Sequence, residues 1–167
     1  MCKLEGTETR EALEERYHRA LDAAGKQLSY RALSEAALRK KLLEKGHAED
    51  AAEYAVAWLL ERGLLDDAGL AASMVRSYTR KGYGALRIRQ ELLRHGIRRE
   101  QAETALEGFD ADLDKMTALL NKRLRGDLSD RKEVGKAVAA LQRRGFRWDD
   151  IRRALDAYGA RMEDEYE

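Results

Sequence analysis

One segment occurs three times along this chain, each copy centred on a glycine. Leu42-Leu43-Glu44-Lys45-Gly46-His47, Leu92-Leu93-Arg94-His95-Gly96-Ile97 and Leu141-Gln142-Arg143-Arg144-Gly145-Phe146 align without gaps, and their glycines lie 50 and 49 residues apart. An acid follows each glycine by four residues (Asp50, Glu100, Asp149). An alanine and an aliphatic follow at nine and ten: Ala55-Val56, Ala105-Leu106 and Ala154-Leu155. A period of this length is the mark of a tandem array of small supersecondary units. The unit itself is readable: a helix runs into a glycine able to take the left-handed conformation that closes it. A second helix then begins, with an acid in its first turn facing the positive end of the helix dipole. Ala48, Arg98 and Arg147 stand where Ser, Thr or Asp would ordinarily cap that second helix, and no compensating feature is legible.

Apolar spacing supplies the remaining helices. A long charged helix from about Thr9 to Leu33, kinked at Gly25, precedes one capped by Ser34. Asp67 is expected to cap a helix with a stripe of Leu70, Met74, Val75 and Tyr78, interrupted at Gly82 and Gly84. Ile88 and Leu92 mark the next helix, and Ala102, Ala105, Leu106 and Phe109 the one after. The cycle recurs through Leu113, Met116, Leu120 and Leu124, then Val134, Val138 and Leu141, then Trp148, Ile151, Leu155 and Tyr158. The chain has no proline, and its dominant residues are good helix formers. No β-branched stretch alternates with period two. The expected fold is all-α: three tandem three-helix repeats in an elongated, curved array, because a triplet of short helices cannot hide its apolar surface alone. The divisions are a charged N-terminal helix (1–27), repeat 1 (28–66), repeat 2 (67–110), repeat 3 (111–161) and an acidic tail (162–167).

Net charge is only +1, but its distribution is uneven. Residues 1–73 carry a net −3, residues 74–161 a net +8 and the last six −4. Arg76, Arg80, Lys81, Arg87, Arg89, Arg94, Arg98 and Arg99 place eight bases within 24 residues, with Glu91 the only acid among them. Arg87, Gln90 and Arg94 share a helix face roughly opposite Ile88 and Leu92, so they are expected to be separable from the core. Arg76, Arg80, Lys81, Tyr83, Arg87 and Arg94 form the primary candidate contact surface for acidic protein groups or phosphates. Arg123, Arg125, Arg143, Arg144 and Arg147 form a more diffuse second set. A plain solvated face is the competing account of such runs. Of the aromatics, Trp58, Tyr78, Trp148 and Tyr158 fall on apolar stripes and are assigned to packing; Tyr83, between two glycines, is expected to point outward.

Catalytic chemistry finds no constellation. Gly82-Tyr83-Gly84 lacks the following Gly-Lys-Ser/Thr of a P-loop and reads as a tight turn, with anion contact as an added role for its amides. Asp66-Asp67 has no third carboxylate or histidine at ligand spacing, and His18, His47 and His95 sit at unrelated repeat positions. Cys2, the single cysteine, can form no internal disulfide and has no activating neighbour. No cofactor, metal or catalytic residue is expected. No apolar run suggests a membrane span, and the expectation is a cytoplasmic monomer.

Gly63-Leu64-Leu65-Asp66-Asp67, Val75-Arg76-Ser77-Tyr78, Lys81-Gly82-Tyr83-Gly84-Ala85-Leu86-Arg87-Ile88-Arg89-Gln90-Glu91-Leu92 and Gly96-Ile97 together closely resemble the signature segment of the RecX family. The three-repeat pattern extends the resemblance over roughly 28–160. Two departures stand out: the family often has proline where Ala85 stands, and an aromatic near Leu70. The resemblance implies a bacterial regulator that lies along a RecA recombinase filament and interferes with ATP turnover, strand exchange and filament growth. Weak contact with single- or double-stranded DNA goes with that reading; a sequence-independent DNA-binding module using the same bases on phosphates is the alternative. An extended array predicts a radius of gyration in small-angle scattering clearly above the ~15 Å of a compact chain this long. A value at that limit would mean that the repeats fold back on one another.

Overall fold

In the computed structural model, which describes residues 9–164, the described chain forms nine helices and no strand. They are α1 (Arg10–Tyr30), α2 (Glu35–Glu44), α3 (Glu49–Glu61), α4 (Asp67–Arg80), α5 (Ala85–Arg94), α6 (Arg99–Leu106), α7 (Leu113–Leu124), α8 (Arg131–Arg143) and α9 (Trp148–Asp164). Cys2 and the acidic residues after Asp164 lie outside the described residues. No helix among the described residues is long and apolar enough to cross a membrane. The chain divides into two compact units. Among the described residues, one runs up to Leu70 and takes in His95–Ile97; the other is Ala71–Arg94 with the residues from Arg98 to Asp164.

In the first unit, α1 packs on α3 and α2, and α2 on α3. The α1 and α3 faces that are buried are built from alanine: Ala20 and Ala24 on one, Ala51, Ala52 and Ala55 on the other, all fully inaccessible. Small side chains one turn apart let two helix backbones approach closely, and Leu38, Leu42 and Leu59 fill the space toward α2. Thr9 and Ser34 cap α1 and α2 by accepting from the Ala12 and Ala37 amides at 3.3 and 3.2 Å. Helix α1 runs unbroken through Gly25 and ends at Tyr30, so a division at residue 27 falls inside it.

Asp67 does not cap α4. Its neighbour Asp66 does, accepting from the Gly69 amide at 2.9 Å. The Asp67 carboxylate is buried and instead accepts from the Glu35 amide at the start of α2, also at 2.9 Å. Two adjacent aspartates thus cap two different helices. Sequence spacing could show only the local one.

In the second unit, α7, α8 and α9 enclose Met116, Leu120, Leu124, Leu141, Phe146, Ile151, Ala154 and Tyr158. The Tyr158 hydroxyl donates to Asn121 Oδ1 at 3.1 Å and accepts from the Gly126 amide at 2.8 Å, so a buried polar group is satisfied at the end of α7. The missing cap of α6 is replaced in part by Gln101, whose side-chain oxygen accepts from the Arg98 amide at 3.3 Å. Ala48 gives α3 no side-chain cap.

The repeat glycines have the expected conformation, with φ of +86° at Gly46 and +83° at Gly96 and Gly145. At Gly46 and Gly145 the paired bonds of a Schellman closure are formed. The glycine amides reach Leu43 O and Gln142 O, and the following amides reach Leu42 O and Leu141 O. The three glycines differ in what surrounds them. A Cβ on Gly46 would meet nothing within 4 Å; one on Gly96 would stand 2.7 Å from Ser34 Oγ and 3.3 Å from Ala36 Cβ. One on Gly145 would stand no more than 2.8 Å from the N, Cα and Cβ of Arg87. Only the first glycine is therefore required for conformation alone. Gly46→Ala is expected to cost about 1 kcal/mol, the penalty for a left-handed residue. Gly96→Ala should cost more, and Gly145→Ala most, since backbone must move. Urea unfolding of the three variants checks the order; equal losses would show that close approach contributes nothing.

Candidate partner-binding site

The end of α4, the start of α5 and the end of α8 meet within the second unit. Helix α4 closes on Gly82 (φ +76°), with the Gly82 and Tyr83 amides bonded to Thr79 O and Tyr78 O. The next amides point elsewhere: Gly84 donates to Arg144 O at 2.9 Å and Leu86 to Gly145 O at 3.0 Å. A helix start leaves amides without partners and a helix end leaves carbonyls without partners; here each satisfies the other. A side chain on Gly84 would collide with Gly145 O and Phe146 N. Gly82-Tyr83-Gly84 is thus a docking turn, and its Gly84 and the following Leu86 amides are spent inside the protein rather than offered to an anion. Ala85, which stands where the family often has proline, is buried at the first position of α5, a place that either residue tolerates.

Arg144 fastens this junction. Its Nη1 donates to Lys81 O and Gly82 O, both at 3.2 Å, and its guanidinium lies 5.6 Å from the centre of the Tyr83 ring. Tyr83 in turn leans on Tyr78 with ring centres 5.7 Å apart. The expectation that Tyr83 points outward is therefore corrected: it is half-buried between Tyr78 and Arg144. Lys81, itself exposed, holds its ammonium 5.1 Å from the Tyr78 ring.

Beside this junction sits a buried carboxylate. Glu91 is only 4% exposed, on the same side of α5 as Ile88 and Leu92. Arg87 Nη2 and Arg94 Nε each reach it at 2.9 Å, the Arg94 Nη2 adds a second contact, and the Tyr78 hydroxyl lies 3.4 Å away. Burial alone would raise the Glu91 carboxyl. The hydrogen bond and charge of Arg94, then the Arg87 charge and the Tyr78 hydroxyl, outweigh burial and hold it below its ordinary value. Arg87 and Arg94 are consequently not independent of the fold, as their place opposite the apolar stripe suggested. Their outer surfaces remain exposed, but their charges balance Glu91. The i,i+4 and i,i+3 spacing of Arg87, Glu91 and Arg94 was the signal available in the sequence.

The other candidates divide similarly. Arg76 and Arg80 are exposed one turn apart on α4. With Arg123, Arg125, Arg143 and Arg147, also exposed, they have no acidic partner among the described residues. Arg125 holds a left-handed conformation (φ 49°) at the end of α7. A cleft of about 260 Å³ opens between Ala85, Leu106, Phe109, Arg147, Asp149, Asp150 and Arg153. Of the aromatics assigned to packing, Tyr158 is buried, Trp58 and Tyr78 are half-buried, and Trp148 is not packed: 52% of it is exposed. No group of three or more His, Cys, Asp or Glu side chains among the described residues could hold a metal ion.

The RecX family's first, second and third three-helix domains match residues 20–59, 66–106 and 110–155. Regulatory protein RecX of Stenotrophomonas maltophilia is 38% identical over 119 residues, covering 70% of this chain and 73% of that protein. Regulatory protein RecX of Vibrio vulnificus is 38% identical over 138 residues, covering 80% and 89%. The crystal structure of RecX from Lactobacillus salivarius shares the fold with a TM-score of 0.81 at 24% identity, over 87% of this chain and 97% of that one. A second crystal structure, of a regulatory protein RecX, superposes with a TM-score of 0.78 at 27% identity, over 92% and 82%. With all three domains matched in order over most of its length, this chain belongs to the RecX family.

Proposed function

We propose that this protein is a regulator that binds a RecA recombinase filament in the bacterial cytoplasm and restrains its ATPase, strand-exchange and growth activities, without catalysis of its own. The observation that carries the reading is the match of all three family domains to a chain whose relatives are named regulatory proteins. The exposed bases give it a physical route. Among the described residues Arg76 and Arg80 have no carboxylate to satisfy, so acidic groups on a partner can pair with them at little internal cost. Lys81, Arg87 and Arg94 border the same stretch with exposed outer surfaces, and Tyr83 and Arg144 hold its backbone in place.

The direct test is the RecA ATPase rate on single-stranded DNA, with this protein titrated below the RecA concentration. Inhibition supports the reading, and an unchanged rate at all ratios removes it. The alternative, a DNA-binding module acting through phosphates, predicts affinity for bare DNA that falls steeply with salt, together with no effect on RecA.

The divided basic set generates two further expectations. Arg76→Glu/Arg80→Glu should keep its melting temperature and lose most of the inhibition; retained inhibition would move the contact to Arg123, Arg125, Arg143 and Arg147. Arg87→Glu/Arg94→Glu should unfold at a lower temperature, by several degrees or more, because Glu91 then faces two carboxylates in place of two guanidiniums. Arg19→Glu/Lys26→Glu on α1 is the control for reversing charge at exposed positions.

A further inference from the structure

Trp148 has no packing role that accounts for it. It is the first residue of α9, and the repeat-equivalent first residues of α3 and α6 are Glu49 and Arg99, both exposed. The fold therefore places this position in solvent in all three repeats, yet the third has a tryptophan there, 52% exposed. An indole left in water forgoes the burial that makes it worth having, and such a side chain is informative where an exposed leucine is not.

Its surroundings narrow the chemistry. Ile151, Ala154 and Tyr158 form the buried stripe of α9. Arg152, one turn after Trp148, lies on the solvent side of it, and Arg147 immediately precedes it. Both arginines are exposed with no acidic partner among the described residues, and exposed Arg143 ends α8, four residues before Arg147 in the chain. The neighbouring acids are Asp149 and Asp156, both exposed, and Asp150, which is paired with Arg153 at 2.7 Å. Arg147 and Asp149, on either side of Trp148 in the chain, line the 260 Å³ cleft whose apolar wall includes Leu106 and Phe109. Trp148 itself does not line that cleft; what it presents is an exposed ring beside two guanidiniums that have no acidic partner among the described residues, an arrangement that suits a planar base flanked by phosphates.

We propose that Trp148 is a stacking site for an unpaired base of a single-stranded nucleic acid, with Arg147 and Arg152 meeting the flanking phosphates. Duplex DNA, whose bases are already stacked on one another, does not satisfy it. This contact is independent of the RecA reading and needs no recombinase to be observed.

The test uses the Trp58→Phe variant of the full chain, which leaves Trp148 as the only tryptophan, after its helicity has been checked against wild type. Adding a thymidine oligonucleotide should quench the Trp148 emission, and a duplex of equal length should not. Trp148→Ala should weaken oligonucleotide affinity about ten-fold, Trp148→Phe by less, and Arg147→Gln/Arg152→Gln should flatten its salt dependence. An unquenched Trp148, or a Trp148→Ala variant that binds the oligonucleotide as wild type does, overturns the proposal. If Trp148→Ala keeps DNA affinity but loses RecA inhibition, the tryptophan contacts protein instead. Absence of RecA inhibition in wild type, with quenching intact, would remove the earlier reading and leave this one standing.

Discussion

The structure depends on a glycine turn pressed against the start of another helix. At Gly145 the last carbonyls of α8 take the Gly84 and Leu86 amides at the start of α5, and neither glycine has room for a side chain. At Gly96 the contact is related but not identical: the Ser34 hydroxyl, which caps α2, also donates to His95 O at 2.6 Å. In each, a carbonyl beside the left-handed glycine accepts from a group at the first turn of a helix in the same unit. Two sets of polar groups that would otherwise need water are satisfied together.

Once the start of α5 is fixed in this way, the rest of the second unit's polar surface follows. Tyr83 is caught between Tyr78 and Arg144, and Arg144 closes over the carbonyls at the end of α4. Glu91 comes to lie within the protein beneath Arg87 and Arg94, with the Tyr78 hydroxyl beside it. A buried carboxylate is tolerable only when it is paired and hydrogen-bonded, so two of the bases in the densest run are committed before any partner arrives.

That commitment changes what the basic stretch can offer. A count of eight bases to one acid suggests a uniformly attractive surface. Among the described residues, the structure divides that stretch into bases paired within the fold (Arg87 and Arg94 with Glu91, Arg89 with Glu103) and bases with no acidic partner (Arg76 and Arg80), while Arg144, outside the stretch, fastens its turn. The first group fixes the shape of the surface and the second carries its unbalanced charge. Trp148 belongs with the second group, as a large side chain that the core does not use.

Much of this was determined by the sequence alone. The glycine period, the apolar stripes and the absence of proline specified an all-helical chain and the left-handed closures, because helix periodicity and glycine's freedom at positive φ act locally. The family signature was legible for the same reason: it is a contiguous pattern. The tertiary structure decided which polar residue serves which helix. Asp67 caps α2 rather than α4, Glu91 is buried, Tyr83 is half-buried and Trp148 is exposed. Each of these outcomes turns on contacts with residues distant in sequence or on how far a helix face is covered by its neighbours. A stripe read along one helix gives the side on which a residue stands; the depth to which it is buried is set by the helix packed against it.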